Sequence, residues 1–152
     1  QWEPQDTMEM LHEKQRHLVS SVTTKKISLS WHDATTSFLE AVFARGDRRL
    51  GAVIEEAHRR GCTMDSWSEH FDFDKWMEVF HDVGLDPAFY ANRRRDYDEV
   101  LPWDHLDYGV TKAFLKKESE KARQSVTTPN CRQACSGCGA ACWKGGVCVE
   151  NR

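Results

Sequence analysis

Residues 25–31, KKISLSW, alternate Ile27, Leu29 and Trp31 with polar neighbours, the period-two pattern of a strand. No strand signal follows after Cys62. A lone strand leaves two rows of unpaired N–H and C=O groups, which water or another strand must satisfy. The sequence therefore predicts that this strand pairs with strands upstream of Gln1. A helix–strand–helix order around it reads as the last αβα piece of a barrel or open sheet.

Helical periodicity dominates the rest. A first helix is expected from near Pro4, with Asp6 and Glu9 as a capping box and Met8, Leu11, Leu18 and Val22 at helical spacing. A second follows Trp31-His32-Asp33, with Ser37 and Glu40 as its box and Phe38, Leu39, Val42 and Phe43 buried. Asp47 is placed to cap a third helix with the stripe Leu50, Val53, Ile54 and Ala57, closed by Gly61. Residues 71–84 give another, capped by Asp74, buried through Trp76, Val79, Phe80 and Val83, and ended by Gly84. Asp86-Pro87 starts a short turn carrying Phe89 and Tyr90. Pro102 disfavours helix at Leu101, and a final helix is expected from about Thr111 to Ser125.

The expected fold class is mainly α with one or few strands. Residues 1–62 would close a partial (β/α) barrel, 63–128 would form a helical extension, and 129–152 a Cys-rich tail. With 39% hydrophobic and 30% charged residues, the core is expected to be incomplete or the tail extended. A net charge of −3 gives no global field that favours nucleic acid or anionic membrane. No apolar run is long enough to span a bilayer, and Gln1 is not preceded by a secretory signal; a cytoplasmic location and a longer parent polypeptide are expected.

The tail carries five of the six cysteines. Cys131, Cys135, Cys138 and Cys142 read C-x3-C-x2-C-x3-C. Crowded thiols point to metal rather than to the dispersed bridges of a small secreted domain, with disulfides or free thiols as the alternative. Thiolates are soft donors that suit zinc or an iron–sulfur cluster. Three short gaps favour the cluster, since zinc sites more often separate two knuckles by a long spacer. Cys148 competes with Cys142 as fourth ligand. The first three also spell C-x-x-x-C-x-x-C, the spacing of the cluster that cleaves S-adenosylmethionine. That cluster's loop follows the first strand of its barrel, and the fourteen residues after Cys138 cannot build a barrel.

Other groups have two readings each. His32 and Asp33 end the expected strand, where barrel enzymes place their chemistry, or they cap and turn the chain. Arg48 and Arg49 in RGDRR can grip a phosphate or carboxylate of a cofactor, or form a solvated turn around Asp47. Arg93 to Arg95 read as a solvated loop or a weak RNA contact. Asp104, His105 and Asp107 read as structural hydrogen-bonding groups, with a metal as the minor alternative. Trp67, Trp76 and Trp103 are expected in the core, and Cys62 as a small buried apolar group.

Taken together, the segments QWEPQ, SWHDATTSFLEAVFARGDRRLGAVIEEAHRRGC, DSWSEHFDFDKWMEVFHDVGLDPAFYANR, LPWDHLDYGVTKAFLKKE and CRQACSGCG resemble the C-terminal part of a family of cobalamin-binding-type radical SAM proteins, distantly similar to the methylthiotransferases. The resemblance covers nearly the whole chain. It implies an upstream part with most of the barrel, S-adenosylmethionine and its own iron–sulfur cluster, and a cobalamin-binding-like domain. KKISLSW would be the final barrel strand, and QWEPQ the loop leading to the last barrel helix. The substrate would be RNA or a ribosomal protein. His32 and Asp33 would line the cavity, and the tail cysteines would hold an accessory iron–sulfur cluster or zinc. The rival reading is a non-catalytic, zinc-stabilised helical module that grips RNA or protein through Arg93 to Arg95 and Lys144.

Overall fold

Six α-helices account for all the regular structure among the described residues of this computed structural model, which are residues 1–140. They are α1 (Met8–Ser21), α2 (Ala34–Ala44), α3 (Leu50–Arg59), α4 (Phe73–Val83), α5 (Pro87–Ala91) and α6 (Lys112–Arg123). The chain divides into two units, Gln1–Pro102 with α1 to α5 and Trp103–Arg152 with α6.

The core of the first unit follows the apolar stripes, except that Ile54 of the expected α3 stripe is 51% exposed. Leu50, Val53 and Ala57 of α3 face Trp76, Val79 and Phe80 of α4, while Phe38, Leu39 and Val42 of α2 pack towards Tyr90 and Ala91 of α5. Cys62 joins this cluster as a buried apolar group, and burial pushes its thiol pKa up. Phe43 meets Trp76 edge-on, with ring centroids 5.4 Å apart. One glycine makes the α2–α3 junction possible: a Cβ on Gly46 would lie 2.0 Å from Leu50 Cδ1 and 2.9 Å from the Val42 carbonyl oxygen.

Several helix starts differ from expectation by a turn or less. Thr7, not the Asp6–Glu9 box, caps α1, its hydroxyl accepting from the Met10 N–H. Asp33 caps α2 one turn before Ser37, and Asp72 rather than Asp74 caps α4. Asp47 accepts from the Arg49 N–H in the turn before α3, which itself lacks a side-chain cap. Asp86 caps α5 where a short turn was expected to start, Thr111 caps α6 at the expected beginning of the final helix, and Gly61 and Gly84 take the left-handed conformation that ends α3 and α4.

The expected strand at KKISLSW is absent. Residues 27–31 are neither helix nor strand, and none of their backbone groups bonds to another backbone group among the described residues. A ladder needs a neighbouring edge, and the described chain contains no other strand to offer one. Ile27, Leu29 and Trp31 are all exposed, at 56%, 38% and 50%. The adjoining α1 packs on α2 yet buries none of its own residues. Trp67 is also exposed, at 60%, rather than in the core; Trp76 is buried and Trp103 half-buried.

The chain's first six residues form a strap held to the first unit through arginines. Trp2 is buried and meets Tyr97 edge-on at 4.8 Å. Arg45 donates from Nε to the Tyr90 carbonyl (2.8 Å), from Nη1 to that of Glu3 (2.6 Å) and from Nη2 to that of Arg93 (2.8 Å). Arg95, only 3% exposed, donates its N–H to the Trp2 carbonyl and its Nη2 to that of Arg45. Asn92 Nδ2 reaches the Gln5 carbonyl, and the Gln5 N–H donates to Ala91. Loop carbonyls have no helical partner, and guanidinium forks supply what helix geometry does not.

In the second unit, the Thr111 hydroxyl caps α6 by accepting from the Phe114 N–H, and its own N–H donates to the Cys138 carbonyl at 2.9 Å. Gly139 follows so closely that a Cβ there would sit 2.8 Å from Thr111 Cγ2. Cys138 and Gly139 of the Cys-rich tail are thus held against the N-cap of α6.

Candidate functional site

His32 and Asp33 are among the residues that line a cleft of about 610 Å³ in the first unit. The cap of α2 places Asp33: its Oδ1 accepts from the Thr35 N–H at 2.9 Å and from the Thr35 hydroxyl. Those bonds, the hydroxyl first, hold its carboxyl below the usual range. His32 is exposed, and its carbonyl accepts from Gln15 Nε2 at 3.2 Å, which ties the segment to α1. The same cleft is lined by Asp65, Phe71 and Phe73, by Glu40 of α2, and by Thr35, Thr36, Ser66 and Ser68.

Asp33 thus caps α2 and lines the cleft. The capping part is testable. Asp33→Ala is expected to destabilise the first unit by about 1 kcal/mol, whereas Asp33→Asn, which keeps an acceptor oxygen, costs a few tenths at most. Urea melts of the two variants compare them, and equal losses would make charge rather than capping the cause. A carboxyl pKa below its unfolded value stabilises at neutral pH, so this contribution fades as pH falls through the folded value.

Sequence reasoning missed Asp65, Phe71 and Phe73, and read Glu40 only as part of a capping box. The signal that marks them is the acid–aromatic alternation of HFDFDKW, residues 70–76, after the acidic turn at Asp65.

The structure does not bring the arginine candidates to this cleft. Neither Arg48 nor Arg49 is among its lining residues. Arg49 is engaged by Asp47, with Nε 3.0 Å from Oδ1 and Nη2 2.7 Å from Oδ2, and this holds the Asp47 carboxyl low. Its guanidinium also lies 5.5 Å from the ring centres of Phe89 and Tyr90. Arg48 is exposed. Arg93 forms a two-pronged pair with Glu99, which lowers the Glu99 pKa, and stacks 4.4 Å over Phe89. Of Arg93 to Arg95, only Arg94 is fully exposed.

The tail cysteines Cys131, Cys135 and Cys138 are free thiols, the first exposed and the others half-buried. Cys142 and Cys148 lie outside the described residues. Among the described residues, no three His, Cys, Asp or Glu side chains come together as a metal-ligand set. The donor type suits a soft metal, and the donors among the described residues are not gathered around one point. Asp104 pairs with Lys112, and Asp107 accepts from the Gly109 N–H at 2.9 Å, so these groups hold local structure; His105 is exposed.

Along α1 runs a second open groove of about 770 Å³, lined by Glu9, His12, Glu13, Arg16, Val19 and Trp31. No helix among the described residues is long and apolar enough to cross a membrane. Compared with known proteins, the chain matches no family model, no curated protein and no solved structure.

Proposed function

We propose that this chain is the C-terminal part of a radical SAM enzyme of the cytoplasm, with a cobalamin-binding-like domain and most of the barrel in an upstream part. One observation carries the reading. Residues 27–31 combine alternating exposed apolar side chains with a backbone unpaired among the described residues, beside a helix that buries nothing of its own. A helix followed by an exposed extended segment of this kind has the covering that a neighbouring barrel strand would supply still to gain. His32 and Asp33, at the end of that segment, would then line the enzyme's cavity, where barrel enzymes assemble their chemistry.

In this reading the electron that cleaves S-adenosylmethionine comes from a cluster in the upstream part, and the substrate is RNA or a ribosomal protein. This chain's own contribution is to close the barrel, to line the cavity and to carry an accessory iron–sulfur or zinc site on Cys131, Cys135, Cys138 and Cys142. Arg48 and Arg49 would grip a phosphate or carboxylate of a cofactor away from the cleft, which neither lines, and Arg49 would do so beside its partner Asp47. The rival RNA-binding reading loses two of its three loop arginines to Glu99 and to backbone carbonyls.

Amide exchange and product analysis test it together. Alone, the chain is expected to exchange Ile27–Trp31 rapidly and to give no 5′-deoxyadenosine from S-adenosylmethionine and reductant. In complex with the polypeptide encoded upstream, the same amides gain protection and 5′-deoxyadenosine forms. Cleavage by the chain alone would refute the placement of the cluster, and an upstream frame with no C-x-x-x-C-x-x-C loop would refute the reading. Anaerobic iron and sulfide should give a visible absorption band that Cys135→Ser removes; stoichiometric zinc with no iron uptake overturns the accessory cluster.

A further inference from the structure

Residues 25–33 read KKISLSWHD, and the segment is complementary to its own reverse. Laid antiparallel on a second copy with Leu29 facing Leu29, it sets Ile27 opposite Trp31 and Ser28 opposite Ser30. The flanks follow, with Lys25 opposite Asp33 and Lys26 opposite His32. Directly opposed residues of an antiparallel pair project from the same face. Apolar therefore meets apolar, hydroxyl meets hydroxyl, and a cation meets a carboxylate. Asp33 keeps its charge in this setting, since the bonds from Thr35 hold its carboxyl pKa down.

Other alignments lose these matches. A slip of one residue sets Ile27 against Ser30, Leu29 against Ser28 and Trp31 against Lys26. A slip of two sets Lys25 against Trp31, or Asp33 against Ile27. A parallel pair in register sets lysines against lysines and Asp33 against Asp33, which is like charge directly opposite like charge. A two-fold dimer needs a patch that complements itself, and the antiparallel alignment centred on Leu29 supplies one.

The folded chain leaves this edge accessible. Ile27, Leu29 and Trp31 are exposed, and so are Lys25, Lys26 and Asp33. The backbone of residues 27–31 has no backbone partner among the described residues. Neither proline nor glycine interrupts the segment, so residues 27–31 keep every N–H. Edge strands are commonly guarded by a proline or a charge in mid-strand, and here the charges stand only at the two ends. Val19 of α1, 49% exposed, shares a groove with Trp31, so the apolar surface continues onto the helix.

We propose that two copies of this chain associate as an antiparallel pair through residues 27–31, centred on Leu29. The dimer stands on this segment alone and goes beyond the function proposed above. In that reading the last strand of a partial barrel has an upstream strand on one edge, and the second copy takes the other. So short a contact gives a weak dimer, with a Kd on the order of 10–100 µM. The rapid amide exchange expected of the chain alone is that of the dilute monomer.

The test is sedimentation equilibrium of the 152-residue chain over a concentration series. The mass should rise from monomer towards dimer. Leu29→Lys and Leu29→Glu, each alone, place like charges on the two-fold axis and should weaken dimerisation at least about tenfold. Mixed in equal amounts, the two variants oppose unlike charges, and the dimer should return. The double variant Lys25→Glu, Lys26→Glu lies in an exposed turn and leaves the core untouched. It should also weaken the dimer, by facing Asp33, and it keeps the test valid should changes at Leu29 disturb folding. Val100→Lys, at an apolar position 84% exposed and outside the segment, should change nothing. A chain that stays monomeric, a dimer that the Leu29 variants leave unchanged, or a mixture no more dimeric than its components would each overturn the proposal. So would displacement of one copy by the polypeptide encoded upstream, while a dimer that persists in that complex supports it. Any of these failures leaves the radical SAM reading to its own test, the formation of 5′-deoxyadenosine.

Discussion

Replacing Arg45 with methionine is expected to cost the first unit about 3–5 kcal/mol, a large share of the 5–15 kcal/mol that holds a typical domain together. The side chain serves three carbonyls at once, those of Glu3, Tyr90 and Arg93. Each acceptor left without a donor in a part-buried place costs about 1–3 kcal/mol, and partial rehydration keeps the sum near the lower end. Arg45→Lys should recover less than half, because an ammonium on one stem cannot span acceptors that a planar fork reaches in three directions. Urea melts give the loss, and amide exchange at the Arg95 N–H, which donates to the Trp2 carbonyl, reports whether the strap has let go. A loss below about 0.5 kcal/mol would show that the carbonyls rehydrate freely and that the clamp is incidental.

Phe80→Ala should cost a similar amount, about 3–5 kcal/mol, for a different reason. Phe80 is 1% exposed in the cluster where α2, α3, α4 and α5 meet, and its ring tilts against Phe43 with centroids 6.5 Å apart. Truncation removes the transfer energy of the ring and leaves a void that helices fixed by their neighbours cannot close. Phe89→Ala, at 40% exposure, is the control and should cost far less; its loss is mainly the contact with the Arg49 and Arg93 guanidiniums. Equal losses at the two positions would mean that Phe80 is not the centre of the core.

The helices were legible because burial imposes a period that survives without any knowledge of partners. Leu50, Val53 and Ala57, and Trp76, Val79 and Phe80, are read directly from spacing. Their first residues were not, because two capping candidates often stand within one turn. Asp72 and Asp74 both precede Trp76, and only packing decides that Asp72 takes the cap. The strand failed for a non-local reason: alternation describes one strand's faces, while a ladder needs a second edge. Trp67 failed because it lies in a turn between Cys62 and α4, where no helical stripe carries it inward.

The candidate site was half legible. His32 and Asp33 stand out by position at the end of an apolar alternation. Asp65, Phe71 and Phe73 are more than thirty positions further along the chain and join them only in the folded first unit. The arginines misled in the opposite direction. Their runs look like solvated or ligand-gripping charge, yet Arg45 and Arg95 serve loop carbonyls whose need for donors no periodicity shows.

The strap also fixes an order of events. Gln5 is held by Asn92, 87 positions later, and the bonds from Arg95 close the same junction. Closing so long a loop carries an entropic penalty that local helix contacts do not bear, so α2, α3 and α4 can associate before it. On a ribosome residues 1–6 emerge before their partners, which follow only after α4 and α5 have been made. Synthesis and burial therefore run in different orders along this segment: Trp2 is made long before Tyr97, against which it packs, and stays in water until then.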